Sequence, residues 1–382
     1  MTLSRRKAIA LIGGGVVVAA AASTGYSVTR LPQTAALPWA AAGTYSEPRR
    51  KALSFALLAP NPHNRQPWKV DLSVENMVTV YVDTDRLLPH TDPFNRQITI
   101  GLGCFLEVMR MAAAEDGYRV ELTIFPEGED ATQLDQRPVA HARFTPDADK
   151  IADPLFAHVL HRRSLKEPFD TSRSVPAQSL ASLGAAVTAG TTFGGSILPQ
   201  DIADLRQLSH EALRIEIETP QTYQESVDLF RIGHREVDAN PDGIDFTGPL
   251  FETLRLTGLF DRDSALDTSS AAYQAGMDAV YANTDTAMGH LWLVTSDNTR
   301  RDQIKAGADW VRVNLAATSL GLGIQPLSQP LQEYPEMAKL YAKIHDQLAP
   351  EGGTVQMFAR IGYGPTVSPS PRWPLEEKIV QT

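Results

Sequence analysis

The sequence predicts an α+β fold, in which short strands and long helices follow one another along the chain. Apolar residues alternate with polar ones in several short runs, which is typical of strands, and they recur at helical spacing in two long segments, 96–116 and 299–320. Separate runs of strands and helices favour an α+β architecture. With 382 residues, the chain is long enough for two domains or for one large domain built from two similar halves.

The composition excludes several classes of partner and site. A net charge of −10 argues against nucleic acid or an acidic membrane surface as the main partner, because both need a basic surface. The single cysteine, Cys104, excludes an internal disulfide and a CxxC redox pair, and its apolar neighbours predict a buried, unreactive thiol. The nine histidines form no HExxH pattern, so we predict no metal site. Redox chemistry would therefore need a bound cofactor.

Residues 1–30 have the pattern of an export leader. Ser4-Arg5-Arg6-Lys7 precedes an apolar run at 8–22 that is too short and too rich in glycine and alanine for a membrane span. The paired arginines indicate the twin-arginine route, which exports folded proteins. We therefore expect a periplasmic or otherwise extracytoplasmic protein without stable membrane insertion, or a cytoplasmic one if the leader does not function. A linker rich in proline and alanine follows at 31–44.

The predicted elements of the first half, 45–150, are a helix, a hairpin, a long helix and two strands. The first helix ends before Pro60, Glu75-Asn76 forms the hairpin turn, and Gly101 and Gly103 in the long helix allow another backbone to approach closely. The predicted ranges are 48–58, 70–74 with 78–82, 96–116, 120–124 and 140–144.

The second half, 151–382, follows a similar succession of helix, strand, long helix and strand. The residues of the two halves show little identity, so the sequence alone does not establish an internal repeat. A long polar region at 218–267 is a candidate lid. The other predicted elements are helices at 154–161, 177–183, 202–216 and 299–320, an apolar segment at 287–294 and a strand at 354–361.

The segment 161–169 carries cations and a hydroxyl directly after a predicted helix. Arg162 and Arg163 offer planar guanidinium groups for bidentate contacts, Lys166 offers a point charge, and Ser164 offers a hydroxyl donor. This set of groups suits a phosphate. Taken alone, the segment has a second interpretation, a solvated basic end that complements the helix dipole.

Three further motifs accompany this basic segment: Asn64-Arg65-Gln66-Pro67-Trp68, Pro326-Leu327-Ser328-Gln329 and Pro371-Arg372-Trp373-Pro374. Together and in this order, the motifs resemble the Acg-like branch of the nitroreductase superfamily, whose members join two nitroreductase-like halves in one chain. The resemblance extends from about residue 45 to about residue 379. It implies a nitroreductase-like fold in which two fused halves form a pseudo-dimer.

The resemblance also implies FMN as the cofactor. By the family's pattern, the basic segment would hold the phosphate and ribityl chain, with Lys166 toward the pyrimidine side of the ring, and Arg372 would add a second phosphate cation. The candidate cofactor-binding residues are Asn64, Gln66, Arg162, Arg163, Ser164, Lys166, Pro326, Leu327, Ser328, Gln329 and Arg372.

Two of the motifs would contact the flavin ring. The amide of Asn64 can both donate and accept at the ring edge, and a backbone N–H of Ser328 or Gln329 would direct hydride transfer at the flavin N5. Each motif also has a structural interpretation. The first is also a proline-rich turn with Trp68 in the core, and the second is also an ordinary connection from helix to strand.

The implied activity is that of an FMN-dependent oxidoreductase, which transfers hydride through the flavin N5 to a nitroaromatic, a quinone or a similar acceptor. No catalytic acid or base is assigned. No second basic motif with a hydroxyl precedes Asn64, so we expect one FMN per chain in a pseudo-dimeric monomer, with a small-molecule donor and acceptor. The alternatives are a flavin-binding protein that sequesters FMN with little turnover, and a soluble α+β protein without flavin.

Overall fold

The computed structural model describes residues 31–149 and 151–380, so the predicted leader at 1–30 lies outside the described residues. The α-helices are α1 (Leu37–Ala41), α2 (Pro48–Ala56), α3 (Arg96–Glu115), α4 (Ala177–Ala185), α5 (Pro199–Glu218), α6 (Pro220–Asp228), α7 (His234–Ala239), α8 (Pro249–Leu256), α9 (Arg262–Leu266), α10 (Ala271–Asp285), α11 (Arg300–Ser319) and α12 (Ala338–Leu348). The strands are β1 (Trp68–Asp71), β2 (Met77–Val82), β3 (Tyr118–Ile124), β4 (Ala140–Pro146), β5 (Thr192–Ser196), β6 (Phe230–Ile232), β7 (Ile244–Phe246), β8 (Gly289–Thr295), β9 (Gly323–Pro326) and β10 (Thr354–Gly362).

Two four-stranded sheets share one topology. The strand order is β1-β2-β4-β3 in the first sheet and β5-β8-β10-β9 in the second, and every neighbouring pair is antiparallel. In each half, a 20-residue helix leads from the second strand to the third, α3 in the first half and α11 in the second. The predicted α+β class and the two fused halves are therefore confirmed.

The two long helices pack against each other at a pair of glycines. A Cβ atom on Gly103 would lie 2.2 Å from the carbonyl oxygen of Ile304, and one on Gly307 would lie 2.0 Å from that of Ile100. This mutual contact confirms the close approach predicted at Gly103. Cys104 is buried beside it, with its Sγ 3.1 Å from the carbonyl oxygen of Gly307, as predicted for an unreactive thiol. Although α3 is long and apolar enough to cross a membrane, it is a buried core helix here.

The differences from the predicted elements have local causes. The helix predicted at 154–161 is a 3-10 helix, Pro154–His158. The alternation pattern misses β5, because Gly194 and Gly195 interrupt it. A Cβ atom on Gly194 would lie 2.1 Å from Nε1 of Trp292, so the neighbouring indole occupies the space that a side chain would need. The pattern also misses β9, which is only four residues long.

The second half contains a long insertion between β5 and β8, which includes the candidate lid at 218–267. The insertion forms helices and a parallel two-stranded sheet, β6 with β7. The carboxylate of Glu225 in α6 accepts hydrogen bonds from the backbone N–H groups of His90 and Thr91, each at 2.9 Å. Asp242 forms an ion pair with Arg86. The insertion is thus attached to the first half, and its function as a lid stays a prediction.

The C-terminal segment crosses back to the first half. Ile379 forms a parallel bridge with Val70 of β1, and the N–H of Val380 donates to the carbonyl oxygen of Val70 at 2.8 Å. Arg372 lies on this crossing segment. The crossing brings a cation from near the end of the chain to the C-terminal end of α2.

Candidate cofactor site

Two arginines from distant segments meet at the C-terminal end of α2. Arg162 donates from Nη2 to the carbonyl oxygen of Leu58 at 3.1 Å, and Arg372 donates from its own Nη2 to the same oxygen at 3.3 Å. Arg372 also donates from Nε to the carbonyl oxygen of Leu57 at 2.8 Å. Both guanidinium groups are buried. The unpaired carbonyl groups and the negative dipole end of a helix stabilise cations at this position.

The two guanidinium groups differ in how their donors are used. Nη1 of Arg372 donates to Oδ1 of Asn64 at 2.6 Å and to Oγ of Ser370 at 2.7 Å, so every nitrogen of this group has a protein acceptor. In contrast, Nη1 of Arg162 and Nε of Arg163 are buried and have no partner among the described residues. Buried donors without a partner are costly, so an anion would stabilise these two nitrogens most.

The cluster carries more positive than negative charge. Burial and, to a lesser extent, the proximity of Arg163 lower the pKa of Arg162 to about 10. Burial and the proximity of Arg162 lower the pKa of Arg372 to about 9, while Asp245 acts in the opposite direction. Guanidinium groups keep their proton at neutral pH, so the repulsion persists in the folded protein. An anion bound between these groups would relieve it.

Trp39 in α1 covers the cluster. The Arg163 guanidinium lies 4.5 Å from the centre of the Trp39 ring, and the Arg372 guanidinium lies 5.6 Å from it. Both distances suit a cation–π contact. The indole N–H donates to the carbonyl oxygen of Ser370 at 2.8 Å, which fixes the ring orientation. The sequence pattern gives no signal for Trp39, because it lies outside the four motifs.

Residues 33–41, called the strap below, lie in the segment expected to be a linker. The carboxylate of Asp238 in α7 accepts hydrogen bonds from the backbone N–H groups of residues 33–35 at 2.8–3.0 Å. The backbone N–H of Arg372 donates to the carbonyl oxygen of Ala35 at 2.9 Å. The strap is therefore packed on the protein as one wall of the cation cluster. Its contacts are long-range, so no local pattern predicts them.

The basic segment is attached to the edge of the second sheet. Ser164 forms a parallel bridge with Ile324 of β9, and the N–H of Leu165 donates to the carbonyl oxygen of Ile324 at 2.8 Å. Nδ2 of Asn283 in α10 donates to the carbonyl oxygen of Lys166 at 2.7 Å. The main chain of the segment is thus fixed on both sides.

The exposed side chain of Lys166 lies near His63 and Asp245. It reaches solvent, yet desolvation by the surrounding protein lowers the pKa of its amine, with Asp245 on β7 acting in the opposite direction. Desolvation raises the pKa of Asp245, and nearby Lys166 partly offsets it. Desolvation, reinforced by Lys166, lowers the pKa of His63 to about 4, so His63 is neutral at pH 7.

The loop that carries Asn64 and Gln66 has a strained backbone. His63, Asn64 and Gln66 have positive φ angles of 46°, 51° and 50°. Such angles are unfavourable for residues other than glycine and persist only where surrounding contacts hold them. Here Oδ1 of Asn61 accepts from the N–H of Gln66 at 2.7 Å, and Nζ of Lys378 donates to the carbonyl oxygen of Gln66 at 2.8 Å.

The side-chain amides of this loop bind protein. Nδ2 of Asn64 donates to the carbonyl oxygen of Pro371 at 3.0 Å, while Oδ1 accepts from Arg372. Gln66 is fully buried, with Nε2 donating to the carbonyl oxygen of Pro241 at 2.6 Å and Oε1 accepting from the N–H of Trp373 at 2.9 Å. Gln66 therefore joins the loop to the insertion and the C-terminal segment instead of facing a ligand. The ring contact predicted for Asn64 stays a prediction.

The segment 326–329 continues directly from β9. Leu327 is buried, and its N–H donates to the carbonyl oxygen of Phe358 at 2.9 Å, so its side chain belongs to the core. Pro326, Ser328 and Gln329 are half-buried. In the part of the chain that the structure describes, the backbone N–H groups of Ser328 and Gln329 have no protein acceptor. These two donors follow directly on β9, the strand to which the basic segment is bridged at Ser164.

Comparison with known proteins gives relatives along most of the chain, although no family model matches it. The chain is 27% identical over 348 residues to the protein named "Putative NAD(P)H nitroreductase acg" of Mycobacterium tuberculosis H37Rv, which covers 86% of this chain and 94% of the relative. It is 23% identical over 340 residues to "Putative NAD(P)H nitroreductase Rv3131" of the same strain, with coverages of 87% and 91%. Among solved structures, the FMN-dependent nitroreductase NfnB of Mycobacterium smegmatis in complex with NADPH is 17% identical, with coverages of 58% and 95% and a TM-score of 0.33.

The similarity to the two mycobacterial proteins spans nearly the full length of each. It agrees with the two sheets of equal topology joined in one chain, and with the order of the four motifs. The order of the motifs and the similarity to these two relatives together support the resemblance to the Acg-like branch of the nitroreductase superfamily.

Proposed function

We propose that the protein is an FMN-dependent oxidoreductase of the nitroreductase type, which transfers hydride from a small-molecule donor to a nitroaromatic, a quinone or a similar acceptor. The observation that carries this proposal is the pair of buried, unpartnered nitrogens, Nη1 of Arg162 and Nε of Arg163, in a cluster of excess positive charge. The resemblance to the Acg-like branch of the nitroreductase superfamily supports FMN as the anion-bearing cofactor that such a cluster would hold.

The residues of the cation cluster divide into two roles. Arg162 and Arg163 have free donors, so they would bind the phosphate, with the hydroxyl of Ser164 as a further donor. Arg372 has an acceptor on every nitrogen, so it would act by its charge and by holding Asn64 in place. Trp39 excludes water from one side of Arg163. Exclusion of water strengthens the attraction between these cations and a phosphate.

The region around Lys166, which follows Arg162 and Arg163 in the same segment, would hold the ring of the cofactor. FMN, when bound, supplies the hydride chemistry, which no side chain of the protein provides. Lys166 would place a positive charge where negative charge develops on reduction, and the free N–H groups of Ser328 and Gln329 would orient the ring by hydrogen bonds. His63, neutral at pH 7, adds no competing charge.

The first test is the visible absorption spectrum of the protein from residue 31 onward, purified after growth with riboflavin, with the chromophore released by heat and identified. FMN near one equivalent per chain supports the proposal. A colourless protein that also fails to take up added FMN would overturn it. The double variant Arg162→Gln/Arg163→Gln, which keeps Arg372 and its contacts, should fold and lose the chromophore.

We also propose that one chain forms a complete pseudo-dimer with one FMN. The cation cluster combines residues of the second half with the carbonyl groups that end α2 in the first half. The two long helices already pack against each other within the chain, as helices of two subunits would. A monomer by light scattering with one FMN would support this, whereas a stable dimer or two FMN per chain would contradict it.

A second candidate function is the sequestration of FMN. The attachment of the strap to Asp238 favours it, because the strap holds Trp39 over the cluster and so restricts access to it from that side. Rapid bleaching of the bound flavin by NADPH, followed by reoxidation with a quinone, would favour the enzyme. Bleaching by dithionite alone would favour sequestration.

If the leader exports the protein, the identity of the electron donor changes. Nicotinamide cofactors are scarce outside the cytoplasm, so an exported protein would need another reductant. Fractionation of cells that produce the full chain, with and without Arg5→Lys/Arg6→Lys, tests this. Accumulation in the cytoplasm for both forms would contradict export.

A further inference from the structure

Arg360 is a buried arginine outside the predicted motifs. It lies in β10 and is fully buried, yet no carboxylate oxygen lies within hydrogen-bonding distance of it in the part of the chain that the structure describes. A buried charge without a counter-charge is costly unless other groups satisfy its donors. Desolvation lowers the pKa of Arg360 to about 9, with Glu167 acting in the opposite direction. The hydrogen bonds that Arg360 makes therefore have to account for a buried charge at this position.

The contacts of Arg360 join the basic segment to β9. Nη2 donates to the carbonyl oxygen of Glu167 at 2.8 Å and to that of Leu165 at 3.4 Å. Nε donates to Oε1 of Gln325 in β9 at 2.6 Å. The guanidinium lies 4.0 Å from the ring centre of Phe169, which supports it from one face. One planar group therefore binds the residues on both sides of Lys166 and the strand that leads to the 326–329 segment.

Lys166 depends on these contacts for its position, because its segment has no regular secondary structure. Three consecutive carbonyl groups of the segment, at residues 165–167, are held by Arg360 and Asn283. Gln325 directly precedes Pro326, so the same guanidinium also fixes the start of the 326–329 segment. The planar fork of arginine suits this bridging role, whereas a lysine ammonium cannot make the same set of contacts in one plane.

We propose that Arg360 is a positioning residue that sets the distance between Lys166 and the 326–329 segment. It acts through the main chain on either side of Lys166 and through Gln325. The part of this inference that concerns the cofactor rests on the proposed function. The part that concerns Lys166 does not.

The first test measures Lys166 in the protein without cofactor. The pH profile of acylation of its amine, followed by peptide mass spectrometry, is compared for the wild type, Arg360→Met and Arg360→Lys. The charged groups that face Lys166 are Asp245 on β7 and, when protonated, His63 on the loop, and neither is altered. We expect both variants to shift the midpoint upward toward the ordinary lysine value of about 10.4, because a loosened side chain becomes better solvated.

A matched control separates positioning from general destabilisation. Arg300 is also buried, and among the described residues no carboxylate oxygen lies within hydrogen-bonding distance of it; its Nη1 donates to Oε1 of Gln303 at 2.9 Å. Arg300→Met should lower the unfolding temperature without moving the Lys166 midpoint. If Arg360→Met and Arg360→Lys leave the midpoint at the wild-type value, or Arg300→Met moves it equally, the inference is overturned.

The second test uses the FMN-loaded protein. Arg360→Lys keeps the charge but not the fork, so we expect it to weaken FMN binding and to move the midpoint potential of the flavin to a more negative value, as Lys166 moves from the ring. An unchanged potential would overturn the cofactor part of the inference. If the wild type binds no FMN, the proposed function fails, and the acylation profile still decides the role of Arg360.

Discussion

Arg162 and Arg372, from two distant segments of the chain, donate to the same carbonyl oxygen, that of Leu58. Arg162 comes from the segment that opens the second half, and Arg372 comes from the C-terminal crossing. Sharing an acceptor places two like charges side by side; the end of α2 and nearby Asp245 offset this repulsion in part, and an added anion would offset it further. Arg162 has a nitrogen, Nη1, that is free to bind a ligand, whereas every nitrogen of Arg372 already has a protein acceptor. The two arginines therefore have different roles, ligand binding for Arg162 and support of the site for Arg372.

The first prediction separates binding from stability among the arginines. Arg163→Gln removes the buried, unpartnered Nε donor of a half-buried residue, so we expect FMN affinity to fall about 10- to 100-fold, as for a charged hydrogen bond worth about 1.5–3 kcal/mol, with little change in the unfolding free energy. Arg372→Gln leaves several carbonyl groups unpaired, so we expect it to cost about 3 kcal/mol or more of unfolding free energy.

Flavin fluorescence titration and urea unfolding measure the two effects. Arg137→Gln is the control, because the Arg137 side chain is partly exposed and forms its ion pair with Asp135, outside the cation cluster. This substitution should change neither the FMN affinity nor the unfolding free energy. A stable Arg372→Gln protein that has lost FMN affinity as selectively as Arg163→Gln would show that the division of roles is wrong.

The second prediction concerns the contact between the two halves. Gly103→Ala places a Cβ atom 2.2 Å from the carbonyl oxygen of Ile304, where backbone must move, so we expect a loss of about 3 kcal/mol or more. Gly276→Ala is the control, since Gly276 is also in a helix and nothing lies within 4 Å of its added Cβ. It should raise stability by up to about 1 kcal/mol. Equal effects of the two substitutions on urea unfolding would contradict the close helix contact.

The sequence predicts the fold better than it predicts the side-chain contacts of the site. Local periodicity is enough for α3, α11 and β4, because each buries a regular face against the same core. The role of Arg372 depends on the C-terminal crossing, and that of Trp39 depends on the packing of the strap. Such contacts join residues hundreds of positions apart, and no local pattern records them.

The amides of the proline-rich motif illustrate the same limit. The residue types of Asn64 and Gln66 suit a flavin edge as well as they suit backbone partners, so composition cannot separate the two roles. The structure gives both amides protein partners, because three positive φ angles turn the loop toward the C-terminal segment. Positive φ at His63 and Gln66 is not visible in a sequence without glycine at these positions.

The third prediction concerns acid stability. Burial and, to a lesser extent, Arg206 on α5 and Arg360 on β10 lower the pKa of His290 to about 3. An unfolded histidine titrates near 6.5, so between about pH 6.5 and pH 3 the unfolded state binds more protons. The contribution of neutral His290 to the unfolding free energy is therefore fully present above about pH 6.5. It decreases as the pH falls below that value, by at most about 1.4 kcal/mol per pH unit.

His290→Phe should flatten this dependence. The imidazole stacks on Phe358 with ring centres 5.3 Å apart, and neither of its nitrogens has a partner in the described part of the chain, so a phenyl ring keeps the packing and loses no hydrogen bond. His161→Gln, an exposed histidine, is the control. Urea unfolding between pH 5 and pH 8 measures the slope. A slope that is the same in the wild type and in His290→Phe would show that another group causes the acid sensitivity.

The fourth prediction concerns the strap. Trp39→Ala removes the ring that covers Arg163 and Arg372, and water then reaches the cluster. Since screening by water weakens the attraction between cations and phosphate, we expect FMN to dissociate faster by at least about tenfold. Leu37→Ala is the matched control, because Leu37 lies on the same short helix but is 57% exposed. Dissociation is followed by dilution of the loaded protein into an excess of an apo-flavodoxin acceptor. If Trp39→Ala and Leu37→Ala release FMN at the same rate, the ring covers no bound phosphate, and Arg162 and Arg163 retain the cofactor without the strap.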